Sequence, residues 1–359
     1  MTALPLIDLK DASSFPSRRV EAWKYSDLRR HLREAPSPSP SAPVPLVGGG
    51  PFEALGGEAM VFVNGRAVNE TQLMISGDKT VRLRLISRAE GTGHALTARI
   101  SARAGAKLLL LETHEGHGSA YVAHNRLELD VARGAEVTRL VLADEPADAL
   151  SITQAQVRVE AGGVYRQTVL TTGAKLQRLE TQLTHRAQGA DVRLDGVYML
   201  SGDRQTDLTS VVDHVAANGV TSQLTKGVVR DTARGVFQGK IVVERGADGT
   251  DARMGHHALI LGERAEVDAK PELEIYADDV QCAHGNTVGN LDEAALFYMQ
   301  QRGIPADEAR ALLTEAFLIE VVDRIEHEGA RNIVLAWLNQ RLNPLPTGEG
   351  GARAVGVGG

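Results

Sequence analysis

The sequence contains a single cysteine, Cys282, in 359 residues. No disulfide can close within the chain, and no cysteine-rich cage can be built from it alone, so a thiolate-bound centre would have to be shared. Aromatic residues are also scarce, at 4%. That counts against a β-sandwich, whose inter-sheet core draws on large rings, and against a polysaccharide groove lined by sugar-stacking aromatics. No apolar run approaches the roughly 20 residues that span a bilayer, and the start MTALPLIDLK lacks the charged and apolar regions of a secretion signal. The expectation is a soluble, cytoplasmic chain. A G-x-x-x-x-G-K-[ST] loop is missing, so ATP hydrolysis through a P-loop is excluded. Long Lys/Arg clusters are missing too, and a formal charge of −7 argues against a nucleic-acid partner.

What is present is a 43% hydrophobic content, enough for a substantial core. Residues 15–34 place Val20, Trp23, Leu28 and Leu32 near helical spacing and predict a short amphipathic helical region. Residues 35–45, APSPSPSAPVP, predict a linker or exposed loop, because proline removes backbone donors and fixes φ. From about Met60 to Val280 the texture becomes short β-branched and Leu-rich runs, such as NRLELDV at 125–131 and QVRV at 156–159. Turn signals at Gly105, Gly134, Gly162 and Gly189 recur at roughly 28 residues, a period that fits stacked repeats. Pattern alone leaves a β-helix and a sandwich or barrel both standing.

The texture changes again at Asn290, which is placed to cap a helix with Glu293 three residues on, running through Phe297 and Met299 and stopping at Gly303. Pro305 suits the first turn of a second helix, with Asp307 and Glu308 near its positive end and a stripe of Ala309, Leu312, Leu313, Ala316 and Phe317. That stripe serves either internal packing or partner contact. A third amphipathic helix is expected over residues 332–342, and the Gly-rich tail 344–359 is expected to be disordered.

The densest chemical signal is ELEIYADDVQCAHGNTVG, residues 272–289. If a strand runs through it, Cys282 and His284 point to one face, since alternate residues share a face. A thiolate and an imidazole so placed can meet one iron or one cluster edge. A lone cysteine is more often an inert buried hydrophobe, and a nucleophilic Cys-His dyad is a third reading that needs an orienting group and an oxyanion site. His256 and His257 are adjacent and face opposite sides of a strand, so at most one can join a site; a solvated or structural role is the simpler reading for each. The acids Asp278 and Asp279, or Asp248 with Asp251, keep a carbohydrate-active β-helix as a rival.

Three blocks resemble the SufB/SufD family of iron-sulfur cluster assembly: RRVEAWKYSDLRR, LTKGVVRDTARGVFQGKIVV at 224–243, and AEVDAKPELEIYADDVQCAHGNTVGNLDEAALFYMQQRGI at 265–304. The EAWKYSDL motif at 21–28 and the Cys-Ala-His-Gly form at 282–285 resemble the SufD branch, with the SufB branch the runner-up. The resemblance implies a mainly β protein: a right-handed parallel β-helix core at 60–289, an N-terminal helical region with a Pro-rich linker at 1–59, and a C-terminal helical region at 290–343 that docks the ABC-type ATPase SufC. It further implies a non-catalytic subunit that pairs with SufB through β-helix ends. Iron or a transient iron-sulfur cluster is then shared at that junction, with His284 as a ligand and Cys282 beside it. A homodimer in isolation is compatible with the same edge. Leu312, Leu313 and Phe317 are the expected SufC contacts.

Overall fold

Alternation of apolar and polar residues over ten-residue segments produces strands, and turn glycines at a near-constant interval decide how those strands stack. The computed structural model describes residues 6–43 and 49–342, so the expected tail at 344–359 lies outside the described residues. The first strands are β1 (Glu58–Val63), β2 (Arg66–Ala67), β3 (Gln72–Ile75), β4 (Asp78–Ser87), β5 (Gly93–Ala102), β6 (Lys107–Gly116), β7 (Val122–Val131), β8 (Glu136–Asp144) and β9 (Leu150–Val159). They continue as β10 (Val164–Thr171), β11 (Leu176–His185), β12 (Asp191–Leu200), β13 (Gln205–His214), β14 (Val220–Val229), β15 (Arg234–Val243), β16 (Asp251–Ile260), β17 (Glu266–Ile275) and β18 (Gln281–Gly289).

From β3 onward successive strands alternate between two sheets. One has the order β18-β16-β14-β12-β10-β8-β6-β4-β1-β2 and the other β17-β15-β13-β11-β9-β7-β5-β3. Among the described residues the named strands all pair in parallel except β1 with β2, which makes the core a parallel β-helix. The turn glycines build one corner. Gly105, Gly134, Gly162 and Gly189 all have positive φ, and each backbone N–H bonds to the next coil's turn, as in Gly134 to Ala161 and Gly162 to Gln188. The ladder then passes to Asn218, at φ 57°, a left-handed conformation that asparagine tolerates better than most residues.

Inside the coil, apolar side chains stack rung on rung. Ile100, Leu129, Val157, Leu183, Val212, Ile241 and Leu273 form one unbroken row. Such a core replaces large rings with aliphatic columns about 4.8 Å apart, which accounts for the low aromatic content.

The N-terminal segment covers the outer face of the eight-stranded sheet. Trp23 and Leu28 are fully buried and share a cluster with Val122, Leu150, Ile152 and Leu176. Residues 15–34 contain only a 3-10 turn at Glu21–Trp23 and a one-turn helix, α1 (Leu28–His31), and Val20 is exposed. Asp27 restarts the chain by accepting a bond from the Arg30 N–H, so the expected amphipathic helix breaks into pieces that turn Trp23 and Leu28 to the same sheet. The Pro-rich stretch is pinned along its described part. Ser39 is buried, its N–H bonds to the Gly93 carbonyl, and its hydroxyl lies 3.1 Å from His94.

Helices α2 (Glu293–Gln301), α3 (Ala306–Val322) and α4 (Glu328–Leu342) follow the last strand. The cap of α2 is Asp292, whose carboxylate accepts from the Ala294 and Ala295 N–H groups, and not Asn290. Helices α3 and α4 bury Leu318, Val322, Val334 and Leu338 against Leu111, Leu140, Leu170 and Val197 on the outside of the ten-stranded sheet. The buried face of α3 comprises Ala309, Thr314, Leu318, Val321 and Val322. Leu312 and Ala316 of the expected stripe are exposed, and Leu313 and Phe317 are half-buried.

Candidate functional site

Among the described residues, strand β18 is the last rung of the ten-stranded sheet and β17 the last of the other, so the coil ends here without another rung on either. Residues that would be core one coil earlier are open. Almost all of β18 is exposed and β17 is only half-buried. Register identifies the inward row of β18, because Cys282 lies beside Ala252, His284 beside Met254 and Asn286 beside His256. Ala252 and Met254 are core residues, and Cys282 packs against the same core with Leu273, Ala277 and Val280. Cys282 is half-buried and His284 exposed, so the two expected ligands share one face at the mouth of the coil.

Burial raises the Cys282 thiol above its ordinary value, and the nearby Asp251 carboxylate adds to the rise against a hydrogen bond from the Ala252 backbone. A soft cation that displaces this proton would convert an apolar-lined thiol into a ligand. Strand β17 contributes Leu273 to the opposite wall, which keeps the surroundings of the sulfur weakly polar.

The two adjacent histidines separate as strand geometry requires. His256 is fully buried on the inside and His257 lies outside, its Nδ1 2.7 Å from Thr287 Oγ1. His256 stacks on Phe237 with centroids 4.7 Å apart, and its Nε2 and Nδ1 lie 2.9 Å from Tyr198 Oη and 2.7 Å from Asn286 Oδ1. Desolvation lowers its pKa to about 4, although the Asn286 bond acts the other way, so the ring is neutral at physiological pH. Neither Tyr198 nor Asn286 stands out in the sequence as a site residue. Among the acids, Asp251 is paired with Arg253 at 3.0 Å, and the Asp279 carbonyl accepts from the Gly249 N–H as part of the turn ladder.

Strand β18 leads through Asp292 into α2, which exposes Phe297 and Tyr298 at 64% and 59%. These two rings were not among the expected contacts. Of those that were, Leu312 is 42% exposed, whereas Phe317 packs toward the sheet with the Lys226 ammonium 4.4 Å from its ring centre. A groove of about 910 Å³ lies elsewhere, between α4 and the strands β6 and β8, and is lined by His114, Glu115, Trp337 and Arg341 among others. Its charges are largely paired within the chain, Arg84 with Glu115 and Arg341 with Asp144.

A family model described as SUF system FeS cluster assembly, SufBD core domain, matches residues 85–317. The chain belongs to the SufB/SufD family of iron-sulfur cluster assembly proteins. Among relatives of this SufBD chain, the iron-sulfur cluster assembly protein SufD of Escherichia coli is 30% identical over 95% of the chain and 91% of its own length. A SufBD family protein of Synechocystis is 32% identical over 55% of the chain and 44% of its own length. The SufD protein of Bacillus subtilis is 32% identical over 39% and 32% respectively. The match to the first of these spans the N-terminal cover, the β-helix and the C-terminal helices alike, and makes the chain SufD-like. No helix among the described residues is long and apolar enough to cross a membrane.

Proposed function

We propose that this SufBD-family chain is a SufD-type, non-catalytic subunit that adds its open coil end to the β-helix of a SufB-type partner. At the junction it contributes Cys282 and His284 to an iron ion or nascent iron-sulfur cluster. The observation that carries the reading is the placement of both side chains on the inner row of the last, uncovered strand. Thiolate and imidazole are both established iron ligands. Two donors leave the coordination sphere incomplete, and a facing strand from a second chain is the direct way to complete it. The cluster is cargo that passes on, and no tightly held cofactor of the free chain is part of the reading.

The C-terminal helices take the second partner, an ABC-type ATPase of the SufC class, through the exposed faces of α2 and α3 at Phe297, Tyr298 and Leu312, with Leu313 and Phe317 beneath. The chain acts in the cytoplasm in this reading. The test is anaerobic cluster reconstitution on the three-subunit complex, comparing native protein with His284→Ala and Cys282→Ala, with complex integrity followed by size-exclusion chromatography. Loss of cluster absorption in an intact complex supports the shared site. Unchanged absorption in both variants reduces the chain to an architectural adaptor that presents the ATPase.

A further inference from the structure

The inner row of β18 has a third polar member. Asn286 is exposed, lies two residues beyond His284 on the same face, and is tied by its side-chain oxygen to the buried His256. The direction of that tie follows from its acceptor: an amide oxygen has no proton to give, so His256 Nδ1 carries the proton of the neutral ring and Nε2 is left to accept. Tyr198 is fully buried, and burial raises its pKa, so the phenol keeps its proton. Its hydroxyl donates to His256 Nε2 at 2.9 Å. The Nδ1–H donates to Asn286 Oδ1 at 2.7 Å. With the oxygen committed inward, the amide nitrogen of Asn286 faces the open mouth. Among the described residues this nitrogen has no hydrogen-bond partner.

The relay is rigidly held. A Cβ at Gly227 would lie 1.8 Å from the Tyr198 ring and one at Gly235 2.5 Å from it, so the phenol occupies space that only glycine leaves. Phe237 lies flat on His256, with an angle of 4° between the rings. A residue needed only to fill the last coil would not require a buried phenol and imidazole to set the orientation of an exposed amide.

We propose that Asn286 is a further contact residue for the iron-sulfur species held at this coil end. Its side-chain N–H donates to a cluster sulfur, and His256 is the positioning residue that aims it. The proposal rests on the reading of Cys282 and His284 as ligands. Hydrogen bonds to cluster sulfurs stabilise the more negatively charged, reduced form and so raise the reduction potential. The amide therefore favours retention of an added electron while the cluster is shared between two chains.

The experiment uses the reconstituted complex and Asn286→Ala, an exposed substitution that leaves the relay's buried members in place. The expected result is a bound cluster with a lower reduction potential and a smaller shift of its Fe–S stretching bands on transfer from water to deuterium oxide. His256→Phe, which leaves Asn286 unanchored, is expected to move both readouts the same way. In the free chain it should also turn the Asn286 side-chain 15N–1H signals from rigid to motionally averaged. A cluster lost in His284→Ala and Cys282→Ala but indifferent to Asn286→Ala in both readouts overturns this proposal alone. A cluster that survives all three substitutions unchanged overturns the site, and the proposal with it.

Discussion

A proline at Val288 separates the edge of β18 as a docking surface from β18 as part of the fold. In a parallel strand both backbone groups of a residue point to the same neighbour, and successive residues alternate. The Gln281 N–H bonds to the Thr250 carbonyl at the entry to β16. Odd-numbered residues of β18 therefore face β16, and Cys282, His284, Asn286 and Val288 turn their N–H and C=O groups to the open edge. Val288→Pro removes one outward N–H and no bond of the β16–β18 ladder, the position at which an edge strand accepts proline. The side chain is already 43% exposed, so little core is lost. If a partner strand pairs here, its carbonyl is left unsatisfied in a water-excluded interface, a cost of about 1–3 kcal/mol. At 1.4 kcal/mol per tenfold, affinity for the SufB-type partner falls roughly 5- to 150-fold. Isothermal titration or sedimentation velocity measures it, with far-UV circular dichroism as the check on fold. Thr287→Pro is the control, since its N–H serves the β16 ladder and its loss should destabilise the coil itself. Native-like affinity in a well-folded Val288→Pro protein would refute edge pairing.

Other consequences concern stability and the second partner. Burial alone would raise the pKa of Glu112, but the Arg139 charge and the bonds from His114 and Arg139, each at 2.8 Å, outweigh it and hold the carboxyl at about 2. Its folded value lies below the ordinary carboxyl value of 4.5, so its contribution is complete above pH 4.5 and is lost as pH falls from there toward 2. The amount is roughly 3 kcal/mol at about 1.4 kcal/mol per pH unit. Glu112→Gln should flatten that acid slope in urea titrations at several pH values, while costing about 3–5 kcal/mol at neutral pH because Arg139 stays buried without its anion; an unchanged slope would contradict the assignment. Trp23→Ala removes a fully buried ring that stacks 4.5 Å from the Arg178 guanidinium and is expected to cost about 3–5 kcal/mol, seen as a lower thermal midpoint and faster protease clipping near residue 28. Phe297→Asp changes an exposed ring on α2 and should leave the melting curve in place while weakening co-elution with a SufC-class ATPase; retained co-elution would move that contact off α2.

The β-helix was partly legible because glycine announces its corners, and it became ambiguous where glycine yields to something else. The visible interval ends at Gly189, since the next corner belongs to Asn218. The coil length also drifts, with 27 residues between Val164 and its neighbour Asp191 and 31 between Val220 and Asp251. A sandwich shares the alternation and could be set aside only by resemblance. On α3 the stripe expected from spacing passes through Leu312 and Ala316, whereas the buried side runs through Thr314, whose hydroxyl bonds back to the Arg310 carbonyl and so behaves as an apolar group. Spacing of two along one strand was enough to set Cys282 and His284 on one face. The Tyr198, His256 and Asn286 relay was out of reach for the opposite reason, since its members lie 58 and 30 residues apart and meet only once the register of four coils is known. In a solenoid the chemistry of a rung is written along the strand, and what orients it is written across the rungs. The second kind of information becomes readable only when the coil lengths are fixed by structure.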